Sequence, residues 1–449
     1  MFEEVNMISI LGFLTIISIV TLLITKKLSP IVAMVLIPII AAFLLGSGFE
    51  NVTTYFEDGI DSVMPVVIMF IFAILFFGIM QDAGLFEPII NKMIALTRGN
   101  VIAVAMATIA IAIVAGLDGS GASTFLITIP ALLPLYKRLN MSPLLLMLLT
   151  VLSIGVMNLL PWAGPIGRAA SVLNMDPVEL WRPLIPLQLV EIVLLFIVGA
   201  LFGFREKKRI AKRETDEQAL MEVAATEEAP FSEQAEESMQ ESLKRPKLLW
   251  LNLLLTIALV AVLMSGILPS GLVFMIGLAI ALPLNYRSVD EQMARIKDHA
   301  PNALMMAGII LAAGSFLGIL EGTGMLEAMA DDIVHVLPQL LVPYLHLIIG
   351  FFGVPFDLLL STDAYYFALV PIIEQIVSGF GVEPTTIIYT LVIGNIIGTM
   401  VSPFAPALWL GLGLARIEIG EHLKYSFFWV WGFSILLLIV AWFMGIIGV

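Results

Sequence analysis

Two short polar stretches stand inside otherwise apolar sequence and hold the residue types from which a binding site could be built. The first is Gly116, Leu117, Asp118, Gly119, Ser120, Gly121, Ala122, Ser123, Thr124, and the second runs from Phe356 and Asp357 to Ser361, Thr362 and Asp363. Small and hydroxyl residues let backbone approach a ligand and offer N–H and O–H donors. Helices starting near Ser123 and Asp363 would turn their partial positive ends toward it. Such tips suit a carboxylate. Gly119, Ser120, Gly121, Ser123, Thr124, Ser361 and Thr362 are therefore candidate substrate donors. Asp118, Asp357 and Asp363, with Asn395, are candidate ligands for a proton or metal ion. Asp118 and Asp363 could equally cap the helices that follow.

Each tip has a companion stretch interrupted by proline, at 158–168 and 399–406. Proline removes a helix N–H and frees carbonyls, which is tolerable at membrane depth only where protein or a water-filled cavity takes them up. Asn158, Trp162, Gly164 and Ser402 are thus candidate liners of the same site. Arg168 lies beside the first break, where a guanidinium could fork onto a carboxylate; the alternative is an interfacial Arg that snorkels to headgroups. Glu191, inside an apolar run, could carry a coupling proton or pair with a neighbouring helix. His335 and His346 could be proton sites or simply solvated.

Among the motifs of covalent catalysis, the phosphate-cradling lysine loop, H-E-x-x-H and the nucleophile elbow are all missing from the sequence. There are no cysteines, which excludes disulfides and thiolate metal sites. A gradient-driven carrier is expected, not an enzyme. A nucleic-acid partner is not expected either.

The elements that must position these residues are membrane spans. Of 449 residues 60% are hydrophobic and 13% charged, too few charges for a soluble chain of this length. The apolar residues gather in runs of about 16 to 22, the length that crosses hydrocarbon as a helix. Met1 to Asn6 carries Glu3 and Glu4 rather than positive charge, so the first helix is expected to stay rather than act as a cleaved leader. The net charge of -14 is partly local, because 214–241 is dense in Asp and Glu and has no Lys or Arg. It falls within a polar stretch, 205–247, expected to be a partly disordered cytoplasmic linker without a substrate role.

On either side of that linker the chain repeats itself with an offset of about 240 residues. Phe76, Gly78, Ile79, Gly84 and Glu87 match Phe316, Gly318, Ile319, Gly324 and Glu327, and Pro130, Pro143 and Pro165 match Pro371, Pro384 and Pro406. The expected architecture is an all-α integral membrane protein of two inverted repeats, 1–204 and 248–449. Each has five transmembrane helices, one of them interrupted, plus one re-entrant helical hairpin. The hairpins are 101–138 and 340–378, and the interrupted helices 143–170 and 384–415. An odd number of crossings inverts the second half. Placing the basic run 205–213 in the cytoplasm brings Lys26, Lys92, Lys137, Arg245, Arg295, Lys297, Arg416 and Lys424 to the same side and leaves Arg168 and Arg182 outside. That distribution makes the first hairpin enter from the cytoplasm, the second from outside, and both termini external.

The first tip through Phe125, the segment Pro161-Trp162-Ala163-Gly164 to Arg168-Ala169-Ala170 with Met175-Asp176-Pro177, and Thr362-Asp363-Ala364-Tyr365-Tyr366 together resemble the citrate-metal:proton symporter family of bacteria. The resemblance covers nearly the whole chain and is most specific in these segments. It implies a fold of the ion-transporter superfamily: a homodimer in the bacterial inner membrane, with a two-hairpin transport domain moving as an elevator against a scaffold. It implies symport of citrate or a related di- or tricarboxylate with protons or sodium, with magnesium or calcium as co-transported metal and no resident cofactor. The family's site residues carry over to Asp118, Gly119, Gly121, Thr124, Asn158, Trp162, Gly164, Arg168 and Asp363. Ser120 departs from the pattern, which usually places a second acidic residue there, and this favours a more anionic ligand or one without metal. A cation/proton antiporter of the same superfamily is the alternative, and Arg168 argues against it. A membrane-embedded enzyme or channel fits less well.

Overall fold

The apolar runs fold as helices, many of them opened by a Ser, Asn or Pro at the start. The computed structural model describes residues 7–25, 27–217 and 243–448, and among them there is helix and turn but no strand. Residues 218–242, the centre of the expected linker, lie outside the described residues.

The first half runs through α1 (Met7–Ile24), α2 (Pro30–Leu44), α3 (Phe49–Asp82) and a short α4 (Glu87–Leu96). A hairpin follows, α5 (Val101–Ala115) and α6 (Gly121–Arg138), then α7 (Pro143–Met157), a break, α8 (Gly164–Val172), α9 (Pro177–Trp181) and α10 (Ile185–Glu217). The second half has α11 (Leu249–Ser265), α12 (Ser270–Asn285), α13 (Val289–Gly322) and α14 (Met325–Val336). Its hairpin is α15 (Leu345–Phe351) and α16 (Gly353–Phe356) against a turn at Thr362–Ala364, a π-turn at Tyr365–Leu369 and α17 (Val370–Ser378). Then come α18 (Pro384–Ile396), a second break, α19 (Pro406–Ala415) and α20 (Ile419–Phe443). The order of elements in the first half thus recurs in the second, and α3 and α13 are each 34 residues long. Among the described residues, seven helical stretches are long and apolar enough to cross a membrane, with shorter apolar helices beside them.

α3 and α13 pack along their length through glycine. A side chain on Gly59 would strike the Gly314 carbonyl, and one on Gly318 would strike the Tyr55 carbonyl. Where lipid is as apolar as leucine, such backbone approach is what drives helices together. Both helices begin well before their apolar runs, at 49 rather than 63 and at 289 rather than 303, because their polar first turns are capped or exposed rather than broken. Ser288 and Glu291 form a reciprocal capping box at the start of α13. α10 also outruns its apolar stretch, so that the expected linker begins as helix. Glu206 is buried there and accepts the Ser142 amide at 2.6 Å while pairing with Arg209 at 2.7 Å.

Candidate functional site

The first hairpin is held shut by side chains of its own arms, since the hydroxyls of Thr108 on α5 and Tyr136 on α6 are hydrogen-bonded at 2.8 Å. Its tip turns at Gly119, which adopts a left-handed φ of 75°. Asp118 closes the turn on itself, accepting the Ser120 amide at 2.8 Å and the Ser123 hydroxyl. Ser120 is the residue that caps α6, and Thr124 is buried with its hydroxyl on the Ser120 carbonyl. The position where the resemblance implies a second acid is thereby taken by a helix cap.

The tip is clamped onto the break between α7 and α8. The Trp162 indole donates to the Leu117 carbonyl at 2.8 Å, and a Cβ on Gly119 would lie 2.9 Å from the Trp162 carbonyl. One face of Trp162 is stacked on Phe77, with centroids 5.0 Å apart, and Phe274 meets it edge-on. Trp162 anchors the tip and does not present a free face to a ligand.

The second break runs as a tight turn from Ile397 to Val401, then opens at Ser402, whose hydroxyl accepts the Phe404 amide at 3.3 Å. The two breaks touch each other: the Asn158 amide reaches the Thr399 hydroxyl at 3.5 Å, and a Cβ on Gly155 would sit 2.8 Å from Ile397 Cα. Met400 in turn covers Gly121 of the first tip. Thr399 is the repeat counterpart of Asn158, a signal that the offset between the halves could have supplied.

The second tip reaches both breaks. Asp363 is not the cap of its helix; Ser361 is, accepting the Ala364 amide at 3.2 Å. Asp363 instead takes Arg168 from α8, with Nη2 at 2.7 Å and Nε at 2.8 Å from the same oxygen. Both side chains are nearly buried, at 9% and 12% exposure, so Arg168 is no snorkelling interfacial residue. Gly164 makes room for it, since a Cβ there would lie 2.5 Å from Arg168 Nη1. Thr362 is half-buried in the turn beside Asp363. Asp357, at the end of α16, is buried against Gly398 and beside the Asn395 amide, yet neither of its oxygens has a hydrogen-bond partner among the described residues. The Asn395 amide donates to the Gly353 carbonyl at 3.2 Å, while its own oxygen is unpartnered. Oxygens left this way suit a cation or a proton.

A polar cavity of 370 Å³ lies at the far end of α8, lined by Asp58, Ser62, Ser171, Asn174 and Glu321 among others. Ser171 stands one turn beyond Arg168 on α8. Among the described residues no three His, Asp or Glu gather as a metal centre, so an ion here would be held by one or two carboxylates with amide and backbone oxygens. His335 bonds the Asp331 carbonyl on an exposed turn and His346 bonds the Gly448 carbonyl, both away from the tips. A residue the sequence reading missed is His299, which bonds Asp82 at 2.9 Å and packs on Gly78, next to the Phe77 that stacks on Trp162.

Polar tips converging on two broken helices are a carrier's geometry, and the comparisons say of which kind. The family described as Citrate transporter matches residues 14–394. The chain belongs to that family. A Bacillus subtilis (strain 168) member named Citrate transporter is 38% identical over 442 residues, covering 98% of this chain and 100% of that protein. A second from the same strain, named Mg(2+)/citrate complex secondary transporter, is 35% identical over 443 residues, covering 99% and 100%. The crystal structure of the Alcanivorax borkumensis YdaH transporter, described as having an unusual topology, superposes with a TM-score of 0.53 over 88% of this chain and 89% of that one. At 15% identity that likeness concerns the fold alone. This member of the citrate transporter family is a multi-pass membrane protein and a transporter, not an enzyme.

Proposed function

We propose that the protein is a secondary transporter that carries citrate as a divalent-metal complex, or a closely related carboxylate, by symport with a coupling cation. The observation that carries this reading is the Arg168–Asp363 pair at the meeting of the second tip and the first break. A free tricarboxylate that displaced Asp363 from Arg168 would leave a buried carboxylate facing an anion. A metal–citrate complex brings both charges. One of its carboxylates replaces Asp363 on the guanidinium, and Asp363 turns to the metal, so that each buried charge keeps a partner. The acidic lining of the neighbouring cavity, Asp58 and Glu321, favours a cation-bearing ligand on the way in. The relative named for the Mg(2+)/citrate complex supports the same reading.

The other oxygens and donors of the tips, Ser361, Thr362, Asn158 and Ser402, would complete the shell around the complex. Asp357 with Asn395 would seat the coupling cation, proton or sodium. The two halves act as inverted repeats in this reading, with hairpins and breaks moving as one body against the α3–α13 scaffold, in a homodimer in the bacterial inner membrane. The test is uptake of labelled citrate into proteoliposomes, with and without magnesium or calcium, under imposed proton or sodium gradients. Uptake should need the divalent metal and one of the gradients. Equal uptake after chelation would replace the complex by the free acid, and uptake indifferent to both gradients would end the symport reading.

A further inference from the structure

We propose that Glu191, on α10 and outside the site described above, is a residue that binds and releases a coupling proton in each transport cycle; this rests on the cation-coupled reading and assigns that proton a carrier. Glu191 is fully buried, at 0% exposure, and both of its carboxylate oxygens lack a hydrogen-bond partner among the described residues. No Lys, Arg or His lies within ion-pair distance of it among the described residues. The helix-packing pair that could have explained an acid in an apolar span is not formed. A carboxyl group so placed is stable at membrane depth with its proton on, and loses it only when water or a cation arrives.

Its position supplies the occasion. α10 runs antiparallel to α5, since Gly199 lies against Ile109 and Gly203 against Ile102. Glu191 stands about 12 Å further along α10, which places it level with the Gly116 end of α5, where the first tip begins. One turn before it, Gln188 donates to the Val156 carbonyl at 3.1 Å, two residues short of Asn158 at the break, and accepts the Trp181 indole at 2.8 Å. Glu191 is thus behind the first hairpin and beside its break, and in this proposal movement of the hairpin is what brings water to it. Of the titratable groups nearby, Asp118 at the first tip is held by the Ser120 amide and the Ser123 hydroxyl. α5 and α7 contain none. The turn at Arg182–Leu184 brings Arg182, whose guanidinium reaches the Leu263 carbonyl instead. α20 carries Glu421, His422, Lys424 and Tyr425 and meets α10 at Phe202 and Arg205 through Trp429, more than three turns away.

The proton is taken from water that reaches Glu191 while the site faces outward, and is given to cytoplasmic water once the site faces inward. No other bond changes. The test compares the intact protein with Glu191→Gln, the isostere of the protonated acid, in proteoliposomes. Under an inward proton gradient, uptake by the variant should fall about tenfold or more and lose its pH dependence, while citrate exchange at equal pH on both sides stays within about twofold. Glu191→Asp, which keeps a titratable group, should retain gradient-driven uptake. Adduct mapping with a hydrophobic carbodiimide on the intact protein, independent of any variant, should place a label on Glu191 that diminishes at high pH. If the intact protein responds to the proton gradient and Glu191→Gln responds equally, the Glu191 assignment alone is overturned. An intact protein whose uptake ignores the proton gradient overturns it together with proton coupling. Absence of carbodiimide label at any pH also counts against it.

Discussion

The two hairpin tips sit at matching places in their halves and carry similar residues, yet they use their acids in opposite ways. In the first, Asp118 is consumed by its own turn, bonded to Ser120 and Ser123, and the tip is fastened to the break by Trp162 and the close approach of Gly119. In the second, Asp363 reaches across to Arg168 of the other half and Asp357 is left buried without a hydrogen bond among the described residues. A self-satisfied tip is a rigid wall, whereas one holding an exchangeable pair and bare oxygens has something to offer a ligand. On the proposed reading, charge exchange falls to the second hairpin and shape to the first.

The sharpest way to break that comparison is at Arg168. Arg168→Gln strands Asp363 in a nearly buried position, a loss of about 3 kcal/mol or more, so citrate uptake should drop by roughly a hundredfold. Arg168→Lys keeps charge without the fork, and the half-saturating concentration should rise by about tenfold. Concentration-dependent uptake normalised to reconstituted protein measures both. Unchanged values in both variants would remove Arg168 from the substrate site and revive the cation/proton antiporter.

Asp357→Asn tests the unpaired acid. The amide fits the same space, so expression and thermal stability should hold, while the stimulation of uptake by the coupling gradient should diminish about tenfold. Retained stimulation would move the coupling seat elsewhere.

Asp118→Asn should act through the turn. Losing the charge that holds Ser120 and Ser123 costs about 1 kcal/mol, expected as a fall in melting temperature of about one degree with less than fivefold change in apparent citrate affinity. A larger effect on affinity than on stability would show the first tip touching the substrate and erase the contrast between the hairpins.

The smallest effect is expected from deleting part of 218–241, which joins the halves without residues suited to a core. Uptake should stay within about twofold. A cysteine at Ser232 should resist an impermeant thiol reagent in right-side-out cells, and ready labelling would reverse the orientation read from the charges.

Which segments could be helix, where each hairpin turns and where the two helices break were legible in the sequence, because run length, glycine and proline act locally. The polar starts of α3 and α13 were not, since hydropathy drops there while capping and side-chain exposure keep the helix going. Matched glycines and prolines at a constant offset are the basis on which a repeat is expected. What the tertiary structure decided is who partners whom. Arg168 and Asp363 are 195 residues apart, and from composition alone Asp118 and Asp363 are interchangeable caps. Only the packing of one tip on both breaks gives Asp363 a guanidinium and fills one face of Trp162 with Phe77, while Asp357 and Glu191 have no such partner among the described residues. Local rules choose the backbone of each segment. The cost of burying a charge is settled by groups brought together from distant parts of the chain, and that information is carried by no single segment.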